Sequence, residues 1–396
     1  MSKGKKFVVI CCVTMGIGMA LCMVGIAMGG RVNGINVGAN GVSVSTLHGE
    51  QNGKTPLYQT GEEELDKFDG IKIDVSYADV TIQPAEYYGI SYNIDERYNF
   101  SYKIENGTLV VSQKCPPNMG VDFTWFSIGA ASGMNAYTQQ EFITVYVPTG
   151  SKFQNVDIDN DSGEVVCGNF YADKLNIKSE YSDVKLEKVG SKDAVITMDS
   201  GNFKAASFSD GDFTVENEYG NIVLEDVKAG QLKLTANSGN LEVAEVTADS
   251  LFVDDEYGNV SLQKIYTDGM NLNADSGSIS LEDVETNDVV IKAEYGDVDG
   301  RNVKTGSLSG TLSSGNCKMK ELTVKNVDLK SEYGNVELEL MSKLTDYSYN
   351  LETEYGEISI GKKKMGENYE SLEDGKEKIA VYCESGNVEI EGESNE

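Results

Sequence analysis

A short phrase returns every 19 residues between Val156 and Val336. It reads DSGEV at 161–165, EYSDV at 180–184, DSGNF at 199–203 and EYGNI at 218–222. It then continues at equal steps as NSGNL, EYGNV, DSGSI, EYGDV and SSGNC, and ends with EYGNV at 332–336. Ten copies pass without an insertion or deletion. A closed globular fold has no use for such register, whereas a stack of equal coils requires it.

Aligned on the third residue of the phrase, the apolar residues fall into columns. Leu175, Leu232 and Leu251 stand seven before it, and Ile158, Ile177 and Leu234 five before. Val165, Ile222 and Leu241 stand two after, Leu186, Leu224 and Leu262 four after, and Phe170, Phe208 and Val246 seven after. A spacing of two within each coil means strands with one buried face. The fold class is therefore all-β, a parallel β-helix or solenoid of 19-residue coils. Each coil is expected to hold two clear strands around the bend and a third, shorter one. Coils stacked about 4.8 Å apart give a rod on the order of 60 Å long. Right-handed winding is expected from the handedness of parallel crossovers.

The phrase itself reads as structure. Its third residue is glycine in every copy except Ser182, as a corner with positive φ or no room for a side chain demands. Asparagine often follows, and can tie one coil to the next. The residue before the corner alternates between serine and tyrosine, so the structural unit is a 38-residue superperiod. Tyrosines two coils apart, about 9.6 Å, cannot stack on one another. Each ring is expected to lean over the serine of the next coil.

One position earlier the residues are mostly acidic, including Asp199, Glu218, Glu256, Asp275 and Glu294. Like charges about 4.8 Å apart repel by roughly 3–4 kcal/mol at an effective dielectric near 20, but by under about 1 kcal/mol in water. This column must face solvent or hold cations. Those five residues are the candidates for calcium. The phrase lacks the Asp-rich, doubly glycine-punctuated pattern of calcium-binding repeats, so a solvated face is the reading adopted, with no metal and no cofactor.

Charge and rare residues exclude other functions. A formal charge of −31 would be repelled by a nucleic-acid backbone. With His48 the only histidine, a His-based catalytic or zinc site has no second member. Cys167, Cys317 and Cys383 fall in core columns and read as free, buried thiols.

In chain order, residues 1–6 form a basic tail with Lys3, Lys5 and Lys6, and 7–28 an uncharged run long enough to cross a bilayer. The lysines place the N-terminus in the cytoplasm and the rest outside, a single-pass arrangement. A cleaved signal ending near Ala27-Met28-Gly29 is the alternative, and Leu21 makes a lipobox at Cys22 poor. Residues 29–66 read as a stalk, part of which could add a strand. Residues 67–150 combine a first coil, Ile71–Ile82, with an antiparallel β insertion that includes an Asn106-Gly107 hairpin turn. Residues 151–340 are the regular solenoid, and 341–396 irregular terminal coils, EYGEI then ESGNV, with a charged loop at 361–378 and a polar tail. Within the insertion a long loop, 115–139, carries Phe123, Trp125 and Phe126. It is expected to cap the open end of the core. The alternative is a partner contact by those three aromatics.

The first coil, the segment Ile143-Thr144-Val145-Tyr146-Val147-Pro148 and the Ser-Gly-Asn/Asp-Val phrases together resemble a bacterial putative-adhesin family of β-strand-repeat proteins, whose domain is of unknown function. The resemblance covers about residues 65–390. It implies a surface-exposed, membrane-anchored protein and supplies no catalytic residues. The expected function is non-enzymatic contact with an envelope polymer, a host surface or another membrane protein. The alternatives are an envelope-stress sensor or accessory acting through the Trp125 loop, and a glycan-active β-helix enzyme. The enzyme is disfavoured because the regular coils leave no room for groove-building loops.

Overall fold

The computed structural model describes residues 34–38, 41–45, 57–114, 127–128, 140–371, 373 and 376–393. The apolar run 7–28 and the aromatics Phe123, Trp125 and Phe126 lie outside them. Among the described residues no helix is long and apolar enough to cross a membrane. The chain divides into two units. In the smaller, Gly34–Gly38 pairs antiparallel with Gly41–Ser45 and with Ser127–Ile128. The larger unit is the solenoid.

Its regular coils stack in parallel with a constant offset: Leu241 lies opposite Val260, and Val260 opposite Ile279. From Phe203–Tyr219 to Cys317–Tyr333, each coil is one unbroken strand of 17 residues. The expected separate strands are thus joined, and their limits show only as breaks in side-chain alternation. In Leu241–Tyr257 the buried residues are Leu241 and Val243, then Val246 and Ala248, then Leu251, Val253 and Asp255. Two residues turn outward between each group, so every coil has three faces and three corners.

The bend is the first corner; the expected third strand implied further corners, but no residue type marks where they fall. The second falls six residues after the bend, where Asn169, Lys188, Asp226, Glu245, Lys264 and Glu321 all have φ between 53° and 62°. This left-handed backbone costs roughly 1 kcal/mol or more at each non-glycine residue. The ladders above and below over-determine it, so no glycine is needed. In some coils a hydroxyl residue precedes the third corner and bonds across it. Thr305 Oγ1 donates to the Ser307 carbonyl (2.8 Å) and Ser191 Oγ to that of Asp193 (2.9 Å).

Two core columns escaped the hydrophobic pattern because their members are small or polar. One contains Ala172, Ser191, Ala248 and Thr286, and the other Asn160, Ser179, Asn217, Asp255 and Ser331. The second lies under the bend and supplies donors to it. Asn160 Nδ2 reaches the carbonyls of Ala78 (3.2 Å) and Gly163 (2.8 Å), and Asn217 Nδ2 that of Gly201 (2.9 Å).

Both ends depart from chain order. At the N-terminal end, Thr108–Lys114 and Phe142–Pro148 are parallel strands beneath Gly70–Val75 and Asp79–Ala85. The insertion therefore supplies an extra coil, where only antiparallel strands were expected. Its antiparallel members, Gly89–Asp95 and Asn99–Glu105, cover that coil together with Tyr58–Glu64, which precedes the first coil. Tyr58–Glu64 is the part of the 29–66 segment that adds a strand.

At the C-terminal end the last two coils are exchanged. Glu377–Ser385 and Val388–Glu393 slot between the coil of Gly334 and that of Tyr347–Ile360. The 361–378 segment is not a free loop. Lys363–Gly366 and Asn368–Ser371 pair antiparallel against the outermost coil. Each end thus finishes in antiparallel cover, which removes the open edge that would template another chain. Cys167, Cys317 and Cys383 are free and buried, and burial pushes their thiols up to about 12, 12 and 11.

Candidate functional site: a tyrosine and carboxylate ridge along the bends

The bends lie above one another, so each position of the phrase becomes a line along the stack. Glycine makes this stacking close. A Cβ at Gly220 would sit 1.9 Å from the Gly201 carbonyl oxygen, and one at Gly277 1.6 Å from that of Gly258. Most of these glycines also have φ between 118° and 152°, which disfavours any side chain. Ser182 escapes by turning inward, where its hydroxyl lies 2.6 Å from that of Ser179.

The next line is the expected asparagine ladder. Asn240 Oδ1 accepts from the Asn259 backbone N–H (3.0 Å), and Asn259 Oδ1 from that of Ser278 (3.0 Å). The ladder continues through the exchanged coils: Asn335 accepts from Asn387 N–H (2.8 Å), and Asn387 from Glu357 N–H (2.9 Å). Each acceptor takes an N–H from the next coil, which fixes the spacing and orientation of the lines beside it.

The tyrosine line is a repeated, exposed aromatic feature of the surface. Tyr181, Tyr219, Tyr257, Tyr295, Tyr333 and Tyr355 are 57–74% exposed, and Tyr77 at the N-terminal end is 41% exposed. Serines separate them: Ser238 lies opposite both Tyr219 and Tyr257, and Ser276 opposite both Tyr257 and Tyr295. The expected packing of each ring over its serine neighbour leaves more than half the side chain in water. In chain order the alternation fails, because Tyr333 is followed by Tyr355 and then Ser385. In space it holds, since Ser385 lies opposite both Tyr333 and Tyr355.

Beside the tyrosines run the carboxylates. Asp199, Glu218 and Glu256 are exposed, and Asp275 and Glu294 half-buried. Glu294 pairs with Lys292 at 3.2 Å. Among the described residues no three acidic, histidine or cysteine side chains converge as a metal site would require. Lysines pair with acids elsewhere, between neighbouring coils: Lys264–Glu245 at 2.7 Å and Lys233–Glu216 at 3.2 Å. Such exposed pairs contribute at most about 1 kcal/mol each.

Sequence reasoning missed a polar cluster at the N-terminal cap. Asp95, 1% exposed, accepts from Arg97 Nε at 2.8–2.9 Å and from its backbone N–H at 2.9 Å. The Arg97 hydrogen bonds hold its carboxyl below the usual range. Gln113, fully buried, donates to Glu141 Oε2 (2.8 Å) and accepts from Tyr77 N–H (3.0 Å), and burial pushes Glu141 up. The only sequence signal was the set of polar residues in otherwise apolar strands.

Stacked parallel coils with a repeated surface line define a β-solenoid repeat protein. The family described as Toastrack DUF4097 matches residues 68–247 and again 228–391, and the chain belongs to that family. Three solved structures are similar to it. They are putative adhesins from Parabacteroides distasonis (12% identity, 71% of this chain and 97% of that chain, TM-score 0.35), Bacteroides fragilis (15%, 70% and 97%, 0.29) and Parabacteroides merdae (14%, 72% and 96%, 0.29). No curated protein matches the chain.

Proposed function

We propose that this is a non-enzymatic, membrane-anchored surface protein that uses its β-solenoid to contact material of the cell envelope or a host surface. The supporting observation is the exposed tyrosine line, repeated along the stack and flanked by carboxylates. A single catalytic centre would need one coil to differ from its neighbours, and here the chemistry-bearing residues recur in coil after coil. The depressions of about 580 Å³ around Phe252 and Val290 and of about 600 Å³ around Tyr266 and Thr286 lie on outer faces. The apolar run 7–28 with its preceding lysines serves as the single-pass anchor, with the solenoid outside the cytoplasm. The adhesin names of similar structures agree with this reading without supplying a ligand.

The test is a binding survey of the full chain in mild detergent against envelope polymers, host matrix components and membrane-protein extracts. Saturable binding to a polymer or matrix component is expected. If none of these binds and only a membrane protein is captured, the accessory reading replaces this one.

A further inference from the structure

We infer that the tyrosine ridge is a binding track for an extended β-1,4-linked glycan that carries no anionic groups. The inference names the ligand class for the contact function proposed above, and rests on it.

Spacing is the first support. The coils advance by one sheet spacing, so successive tyrosines stand about 9.6 Å apart. That is close to the rise of one disaccharide in an extended β-1,4-linked chain, in which alternate pyranoses are flipped. Every second sugar then presents the same C–H face to the protein, and an aromatic ring under every second sugar is what such a chain calls for. The serine positions fall under the intervening sugars, where a ring is not needed and a hydroxyl can bond to a sugar hydroxyl.

Exposure is the second. Rings that served only to fill space over serine would be covered, yet six of them are 57–74% exposed. No ring of the line from Tyr181 to Tyr355 shares its position with a neighbour on the adjacent coil, so each is free to take a sugar face. The alternation follows position in space and not order in the chain, as Ser385 between Tyr333 and Tyr355 shows. The requirement therefore belongs to the assembled surface.

Chemistry is the third. The carboxylates of Asp199, Glu218 and Glu256 stand next to the line, exposed and able to accept hydrogen bonds from sugar hydroxyls. With a net charge of −31, the same surface repels uronic acids, phosphates and sulfates. Neutral or amine-bearing sugars remain. The asparagine ladder holds the coils in fixed register, so the track is preorganised and binding orders little of the protein.

The test uses the full chain in mild detergent, pulled down on insoluble chitin and cellulose, with starch as the α-linked control. Soluble β-1,4 oligosaccharides of increasing length provide affinities. Retention on at least one β-linked polymer is expected, with affinity rising in steps of two sugars. The triple variant Tyr219→Ser, Tyr257→Ser and Tyr295→Ser should bind roughly tenfold or more weakly, since the contacts are multivalent. It should keep the parent's far-ultraviolet circular dichroism and melting midpoint. Phe252→Ser, on an outer face, should bind like the parent. Equal retention on starch, undiminished binding by the triple variant, or no retention on either β-linked polymer overturns the inference. If chitin and cellulose fail while another component of the survey binds, the contact function stands and its glycan assignment falls. If nothing binds, both fall.

Discussion

Replacing Asp255 with asparagine should stabilise the protein, and the gain should grow with pH. Asp255 occupies the column under the bend, where Asn160 and Asn217 donate to bend carbonyls. A carboxylate cannot donate, and its neighbours in the column are Ala236 and Ala274. The side chain is 1% exposed, and neither of its oxygens has a partner. Burial, then Asp254, Asp275 and Glu256, push its pKa up to about 7 from an ordinary 3.8. The folded chain thus retains a proton that the unfolded chain releases. The contribution to stability is present in full below about pH 4 and is lost as pH rises through about 7. At about 1.4 kcal/mol per unit, the total loss is about 4 kcal/mol. Asp255→Asn removes the titration and restores an amide donor. In urea unfolding followed by circular dichroism, the variant's advantage should rise by about 3 kcal/mol between pH 5 and pH 8. An advantage that is the same at both pH values would refute the reasoning, because it would mean that Asp255 is already ionised when folded.

Three further outcomes follow from the packing. Gly277→Ala should cost about 3 kcal/mol or more, because its Cβ would lie 1.6 Å from the Gly258 carbonyl oxygen at a φ of 137°; thermal melting checks it. Arg97→Ala takes the guanidinium from the buried Asp95 carboxylate, leaves it the residue 97 backbone N–H, and should cost about 1.5–3 kcal/mol at neutral pH, an effect that fades in acid as Asp95 protonates; denaturation at two pH values reads both parts. Cysteines at Tyr333 and Ser385, which are direct register partners, should oxidise to a disulfide, whereas cysteines at Tyr333 and Tyr355, about 9.6 Å apart, should not; the reverse pattern in a mass-spectrometric map would show that the terminal coils stack in chain order.

The period alone determined most of the fold. Residues such as Ile177, Leu234 and Val260 alternate without a slip, and only parallel stacking gives a constant 19-residue offset a use. The column of Asn160, Asn217 and Asp255 stayed hidden because burial there is set by hydrogen bonding to the bends, which hydrophobic pattern does not register. The second corner was hidden because Lys188 and Glu245 are poor formers of left-handed backbone, and neighbouring coils impose the conformation on them. The N-terminal coil was misread because residues 115–139 stand in the sequence between its two strands, in place of the bend phrase. The exchange at the C-terminus could have been read: Tyr333, Tyr355 and Ser385 break the alternation in chain order and restore it when the last two coils are swapped. As for the candidate site, the tyrosines and acids were visible in the repeat, but a packing role for each ring sufficed there, and nothing in the sequence set the proposed contact role apart from it. Only the exposure of the rings separates the two.

The most direct measurement is hydroxyl-radical footprinting of the full chain, alone and bound to isolated cell envelope, with oxidation of each tyrosine read by mass spectrometry. If the ridge is the contact surface, Tyr219, Tyr257, Tyr295 and Tyr333 lose reactivity together, while Tyr266, exposed away from the ridge, keeps its own. Protection confined to Trp125 and its neighbours, with the ridge tyrosines unchanged, would contradict it and move the contact to the 115–139 loop.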